Sequence, residues 1–145
     1  MVIYIGSDHA GFKLKQSMKK YLDSLGVEYE DLGAHKLLKN DDYPIYASKV
    51  SRKVVSSHSF GILFCGSSQG MSIAANKIKG IRAVAVNNVK DALLTREHND
   101  ANVLCLSEWT TSKSLSKKII KTFLFTMFSN EERHKRRIEE ISRLE

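Results

Sequence analysis

Five short runs rich in Val, Ile and Leu, each followed by a stretch with helical spacing of its apolar residues, constrain this chain more than any other feature. The runs lie at residues 2–5, 27–32, 60–65 ("FGILFC"), 82–86 ("RAVAV") and 102–106 ("NVLCL"). They show little polar alternation, so they read as strands buried on both faces, the habit of parallel sheets covered by helices. Residues 12–25, 44–57, 71–78, 89–98, 112–128 and 131–144 read as helices. Pro44, the single proline, fits a first helical turn, where its missing N–H is harmless. The pattern predicts one α/β, doubly wound domain over residues 1–145. Its five-stranded parallel sheet is expected in the order 2-1-3-4-5, flanked by helices, with an extra C-terminal helix.

Ligands of such sheets bind beyond the carboxyl ends of the strands, where the strand order reverses. For the expected order that crevice lies between the first and third strands. The loops that follow them are "GSDHAG" (6–11) and "CGSSQG" (65–70), the two most chemically loaded in the chain.

The second loop, Gly66 to Gly70, runs into a helix, so its free N–H groups point at whatever lies above the strand. Such amides suit a phosphate or an oxyanion formed in a reaction. The same helix start predicts a lowered pKa for Cys65, with Ser67 placed to hydrogen-bond the thiolate. A buried structural cysteine is the plainer alternative. Neither G-x-x-x-x-G-K-[ST] nor G-x-G-x-x-G occurs here, so nucleotide binding is not supported.

Asp8 and His9 end the first strand. The pair suits substrate hydroxyls and a phosphate, or Asp8 simply caps the next helix. His98 and Asn99, in "REHNDAN", close the fourth helix and are read either as site residues or as a helix terminus. Arg133 and Arg137 are four residues apart on one helix face. They match a phosphate dianion, or pair with Glu140 and its neighbours. No His-x-x-x-His or Cys-x-x-Cys spacing exists, so neither a metal nor another cofactor is expected.

Composition narrows the class. The net charge is +7 with a pI near 9.4, but the lysines sit on exposed helix faces and no nucleic-acid-binding motif appears. An anionic small substrate is the better match than a nucleic acid. No apolar run approaches the ~18–20 residues that span a bilayer, and no signal-peptide pattern opens the chain. The 2 cysteines, Cys65 and Cys105, lie far apart and read as free thiols of a reducing compartment. A cytoplasmic protein without membrane contact is expected.

Taken together, "SDHAGFKLK", "DYPIYA", "GILFCGSSQGMSIAANKIKGIRA", "EHNDANVL" and "RHKRRIEEI" closely resemble the type B ribose-5-phosphate isomerases, a family that also holds galactose- and allose-6-phosphate isomerases. The resemblance covers residues 2 to about 141. It implies aldose–ketose isomerisation of a phosphorylated sugar in the pentose phosphate pathway, ribose 5-phosphate first and a hexose 6-phosphate as the alternative. Cys65 is implied as the base moving a proton between C1 and C2, with Ser67 assisting and His98 opening the furanose ring. Amides of Gly66, Ser68 and Gly70 are implied to hold the enediolate, and Asp8 and Asn99 the sugar hydroxyls. His9, Arg133 and Arg137 are implied to hold the phosphate. Family members are dimers or tetramers with sites at the subunit interface, so a homodimer or tetramer is implied here. The chain departs from the family at Ser68, where relatives usually carry glycine, and in "AHKLLKND", where Lys39 stands near an arginine of some relatives. It departs again in "SNEERH", which replaces a glycine-rich approach to the arginines.

Overall fold

In the computed structural model, which describes residues 2–145, strands and helices alternate along the chain. They are β1 (Ile3–Ser7), α1 (Phe12–Ser24), β2 (Tyr29–Asp31), α2 (Tyr43–Ser57), β3 (Gly61–Cys65), α3 (Gln69–Ala75), β4 (Ala83–Ala85), α4 (Val89–Asn99), β5 (Val103–Ser107), α5 (Lys113–Phe125) and α6 (Glu132–Ser142). All strand pairs are parallel. The order is β2-β1-β3-β5-β4, so the last two strands are exchanged relative to the order expected from sequence.

Burial explains the exchange. Every residue of β5 is buried, whereas β4 has 3 residues and is only half-buried beyond Ala83. A fully apolar strand needs a neighbour on each side, while a short, partly wet one serves as an edge. Periodicity marks both as strands but cannot tell which lies inside.

Strand side chains alternate between two cores. Ile62 and Phe64 of β3 join Leu14, Met18, Leu22, Ile119, Ile120 and Phe123 on one face. Leu63 and Cys65 join Tyr46, Val50, Val54, Met71 and Cys105 on the other. Each fully buried Leu, Ile or Phe contributes about 1.5–3 kcal/mol relative to exposure. Helix ends follow local chemistry. The Asn88 side chain accepts from the Asp91 N–H at 2.8 Å to start α4, and that of Ser112 from Leu115 at 3.2 Å to start α5. The fifth helix stops at Phe125, short of the expected 128, because Thr126 is already extended (φ −90°, ψ 125°), which leaves Met127 81% exposed. Among the described residues no helix is long and apolar enough to cross a membrane.

One buried cation braces the carboxyl end of the sheet. Lys15 is fully buried, and its Nζ donates to Asp31 Oδ1 at 2.6 Å and to the Ala34 carbonyl at 2.7 Å. Burial holds its pKa below the ordinary lysine value despite the Asp31 carboxylate. This ties α1 to the end of β2 and to the polar loop that follows.

Candidate active site

The crevice between β1 and β3 survives the exchange of β4 and β5, because the chain still turns one way after β1 and the other after β3. Asp8 follows β1 and Cys65 ends β3. Gly11 lets them meet: a Cβ there would stand 2.1 Å from the Phe64 carbonyl carbon, so the start of α1 can lie against β3 only with no side chain at this position. Asp8 Oδ1 accepts the Gly11 N–H at 2.9 Å, so it closes the turn leading into α1, whose N-cap is Gly11 itself rather than Asp8. Its other oxygen, Oδ2, accepts the Cys65 thiol at 3.1 Å.

That contact corrects an expectation. The helix-start argument predicts a lowered thiol pKa, whereas the Cys65 pKa is pushed up to about 12. Burial is the largest cause, followed by the hydrogen bond to Asp8 and the carboxylate charge. Amides of Gly66 and Ser68 do act in the expected direction but are outweighed. Burial and Asp8 together favour the thiol form of Cys65. Ser67 is exposed, and the side chain bonded to the sulfur is Asp8.

Ser68 sits at φ 67°, the left-handed region that favours glycine. Such a backbone costs a residue with a side chain about 1–2 kcal/mol. The Ser68 hydroxyl bonds back to the Ser67 carbonyl, and the side chain is buried. The loop therefore keeps a shape suited to glycine although serine occupies it.

His9 is oriented by a residue the sequence reading passed over. Asp41 Oδ1 accepts both the His9 backbone N–H at 2.8 Å and, at 2.6 Å, the ring Nδ1. The ring hydrogen bond to Asp41 is the main cause that raises the His9 pKa above the usual imidazole value. Burial pushes the Asp41 carboxyl up, but its two bonds to His9 outweigh that and hold it below the ordinary value. The result is a ring held at Nδ1, with the protonated form favoured by Asp41 and Nε2 left to meet an anion. The signal was faint: Asp41 lies 32 residues from His9 in a loop without periodicity.

Two aromatic rings flank the Gly66–Gly70 loop. Trp109 lies against Gly66, and Tyr43 against Gly70.

His98, Asn99, Arg133 and Arg137 lie elsewhere. Helix α4 runs back to the amino end of the sheet, where the Gly61 N–H donates to the Asn102 carbonyl at 2.8 Å. Gly61 pairs with Val103 and Cys65 with Ser107, so the two ends are separated by four strand residues, about 13 Å. The His98 ring lies on His134 with centroids 4.4 Å apart, which places α6 at the same end. Burial first, and then the neighbouring His98, hold the His134 pKa below the usual imidazole value. Arg133 pairs with Glu131 at 2.7 Å, not with Glu140. Arg137 is exposed and makes no ion pair among the described residues. One chain thus brings Cys65, Asp8, His9 and the amide loop together, and His98, Asn99 and the arginines at the opposite end. Among the described residues no three His, Cys, Asp or Glu side chains are grouped to hold a metal ion.

Comparison with known proteins agrees along the whole chain. It is similar to ribose-5-phosphate isomerase B of Escherichia coli (strain K12), 40% identical over 99% of this chain and 95% of that one. The type B ribose 5-phosphate isomerase of Trypanosoma brucei superposes with a TM-score of 0.95 at 45% identity, over 99% of this chain and 98% of the other. Ribose-5-phosphate isomerase B from Mycoplasma genitalium, solved with bound ribulose-5-phosphate, gives 0.94 at 41%, over 99% and 95%. The family described as Ribose/Galactose Isomerase matches residues 3–141, and on that match this chain belongs to it.

Proposed function

We propose that this protein interconverts ribose 5-phosphate and ribulose 5-phosphate through a cis-enediolate, as a step of the pentose phosphate pathway in the cytoplasm. Residues 1–145 act as one isomerase domain. The observation that carries the reading is the Mycoplasma genitalium relative, which holds ribulose-5-phosphate on a backbone that this chain follows at a TM-score of 0.94. The chemistry of the crevice supports it independently.

Aldose–ketose interconversion needs one base working on adjacent carbons and donors for the enediolate. Cys65 is that base: its thiolate takes the proton from C2 of the open-chain aldose and electrons move onto O1; a proton then passes from O2 to O1, and the carbon-bound proton returns at C1 as the C2 carbonyl forms. Amides of Gly66, Ser68 and Gly70 meet the enediolate charge. The raised thiol pKa means that the reactive thiolate has to be generated at the site. Asp8 already accepts the S–H, so the proton has a place to go along an existing hydrogen bond. Cations brought close to the sulfur favour the same ionised form. Asp8 also faces the sugar hydroxyls, Ser67 assists the proton transfers, and His9 takes the phosphate through Nε2.

The other half of the site comes from a second copy of the chain. His98 for ring opening, Asn99 for hydroxyls, and Arg133 with Arg137 for phosphate lie a strand length from Cys65 within one chain. A homodimer, or a tetramer built from it, places the amino end of one subunit over the carboxyl end of the other. Leu37, Ile45 and Ile73, 55%, 52% and 64% exposed, are large apolar side chains such an interface would cover.

Assaying purified protein with ribose 5-phosphate, allose 6-phosphate and galactose 6-phosphate in parallel tests the reading. The pentose phosphate is expected to give the highest kcat/KM. A preference for either hexose phosphate overturns the pentose assignment, and turnover of none overturns the isomerase chemistry assigned to this crevice.

A further inference from the structure

Trp109 is the single tryptophan of the chain and is 73% exposed, although an indole is among the side chains that gain most from burial. Its place is fixed from below. The Glu108 N–H donates to the Cys65 carbonyl at 2.9 Å, and the Trp109 N–H to that of Gly66 at 3.2 Å. Ser107 Oγ donates to the same Gly66 carbonyl at 2.6 Å and accepts the Thr110 N–H at 3.1 Å. Glu108 Oε2 takes the Leu14 N–H of α1 at 2.9 Å. The turn after β5 is thus clamped to the peptide that carries the candidate base.

The indole then lies flush on the loop. A Cβ on Gly66 would stand 2.5 Å from Cζ2 and 2.6 Å from Cε2 of Trp109. At the far end of the loop a Cβ on Gly70 would stand 2.6 Å from Cζ of Tyr43, itself 38% exposed. Each glycine is therefore the space that a ring occupies, and the loop between them has an aromatic ring at either end. The wall on the Gly66 side adjoins Cys65 directly.

We propose that Trp109 is a specificity-determining residue of the isomerase site, its exposed indole face taking the C–H face of the bound phosphosugar's carbon chain. The inference rests on the isomerase reading and deepens it. Apolar C–H bonds are what a hydroxyl-rich sugar still offers once Asp8 and the loop amides have taken its oxygens, and an indole face is the natural surface for them. A wall set by backbone hydrogen bonds holds the reacting carbons over the sulfur without adding charge, so it reads the sugar and leaves the phosphate to His9 and the arginines.

Because the chain has one tryptophan, the wall reports its own occupancy. Trp emission of Cys65→Ala is titrated with ribose 5-phosphate and, separately, with inorganic phosphate. The sugar phosphate is expected to give a saturable shift or quench, and inorganic phosphate much less. In parallel, Trp109→Ala is expected to raise KM for ribose 5-phosphate about two- to tenfold, with a smaller change in kcat and an unchanged inhibition constant for phosphate. Trp109→Phe, which keeps a ring on Gly66, is expected to recover most of the loss. Emission that ignores the sugar phosphate, or equal loss of sugar and phosphate binding in Trp109→Ala, overturns the proposal. Emission already blue-shifted in the free protein, unmoved by sugar and dependent on protein concentration, assigns the indole to the subunit interface instead. Wild-type turnover separates the two readings. A normal emission response without ribose 5-phosphate isomerisation overturns the reaction and keeps the wall; normal turnover with flat emission does the reverse; neither signal overturns both.

Discussion

The two ends of the sheet hold the candidate residues in opposite ways. At the carboxyl end they turn toward one another: Cys65 onto Asp8, His9 onto Asp41, Trp109 onto Gly66. At the amino end the frame is just as firm, but two of the candidate side chains, Asn99 and Arg137, are exposed. Arg96, 5% exposed, donates through Nη1 to Asp100 Oδ1 at 2.7 Å and to the Ala101 carbonyl at 2.6 Å. Arg82 donates through Nη2 to the Asp100 carbonyl at 2.7 Å and through Nε to that of Asn99 at 2.9 Å. These two guanidiniums hold the left-handed turn at Asp100 (φ 45°), while Asn99 and Arg137 stay exposed. At one end the candidate residues are bonded to one another; at the other the proposed donors Asn99 and Arg137 are exposed.

Removing the proposed base gives the largest expected effect. Cys65→Ala should lower kcat by about 10²–10⁴-fold, the range that a positioned base supplies. Cys105, fully buried on the same face of the sheet, should tolerate Cys105→Ala with kcat nearly unchanged. Steady-state rates of both variants check this, and substantial turnover by Cys65→Ala would shift the base to Asp8, the other proton acceptor in the crevice.

A mixing experiment tests whether the two ends belong to one site. Cys65→Ala and His98→Ala, each nearly inactive with cyclic ribose 5-phosphate, are unfolded together and refolded or co-expressed. Random pairing makes half the dimers mixed, and each mixed dimer has one intact site of two, so activity should return to about a quarter of wild type. If each chain built a complete site by itself, no activity would return.

How far these arrangements could be read from the sequence differs between the two ends for a physical reason. Strand and helix positions follow from periodicity, which is local, and β3 at Gly61–Cys65 falls inside the expected run at 60–65. The crevice loops follow from the reversal of strand order between β1 and β3, which does not depend on whether β4 or β5 lies outside. The strand exchange itself depends on burial of β5 against both neighbours, and no window of sequence contains that. The sign of the Cys65 shift was missed for a similar reason: a helix start is visible beside the cysteine, but the depth of burial and the carboxylate of Asp8, 57 residues away, are not. Separation of His98 from Cys65 follows from α4 running antiparallel to the strands. The alternation of elements already implies this, since a parallel crossover must return the chain to the amino end.

The arginines come next in size. Arg137→Ala should weaken inorganic phosphate as a competitive inhibitor about ten- to a hundredfold, since a charge-assisted contact is worth about 1.5–3 kcal/mol. Arg133→Ala should do less than that, because Glu131 already engages its Nε at 2.7 Å and must release it first. Part of the Arg137 loss should appear in kcat, since a phosphate held by the amino end also sets the carbons over Cys65. An inhibition constant that does not move would confine the phosphate site to the carboxyl end and leave His9 as its only assigned cation.

That outcome makes His9 the sharpest remaining point of comparison, and Asp41→Asn the smallest and most specific perturbation. Asp41 is the main reason that His9 keeps its proton above the ordinary imidazole range; Asp8 adds to it, and burial opposes it. A raised pKa means that the cationic contribution to phosphate binding is complete below about pH 6.5 and fades only as pH climbs through the raised value. Asparagine keeps an oxygen for the His9 backbone N–H but removes the charge that favours the imidazolium. The pH at which phosphate affinity fades should therefore move down toward the ordinary imidazole value. Near pH 6 wild type and variant should bind phosphate alike; near pH 8 the variant should bind it about two- to fivefold more weakly. Taking the ratio of the two inhibition constants at each pH cancels the titration of phosphate itself. A ratio that stays constant across that window would mean that Asp41 only places the His9 ring. A ratio that rises with pH would mean that the carboxyl end carries its own titratable cation, kept charged to higher pH by one loop residue, before any second chain arrives.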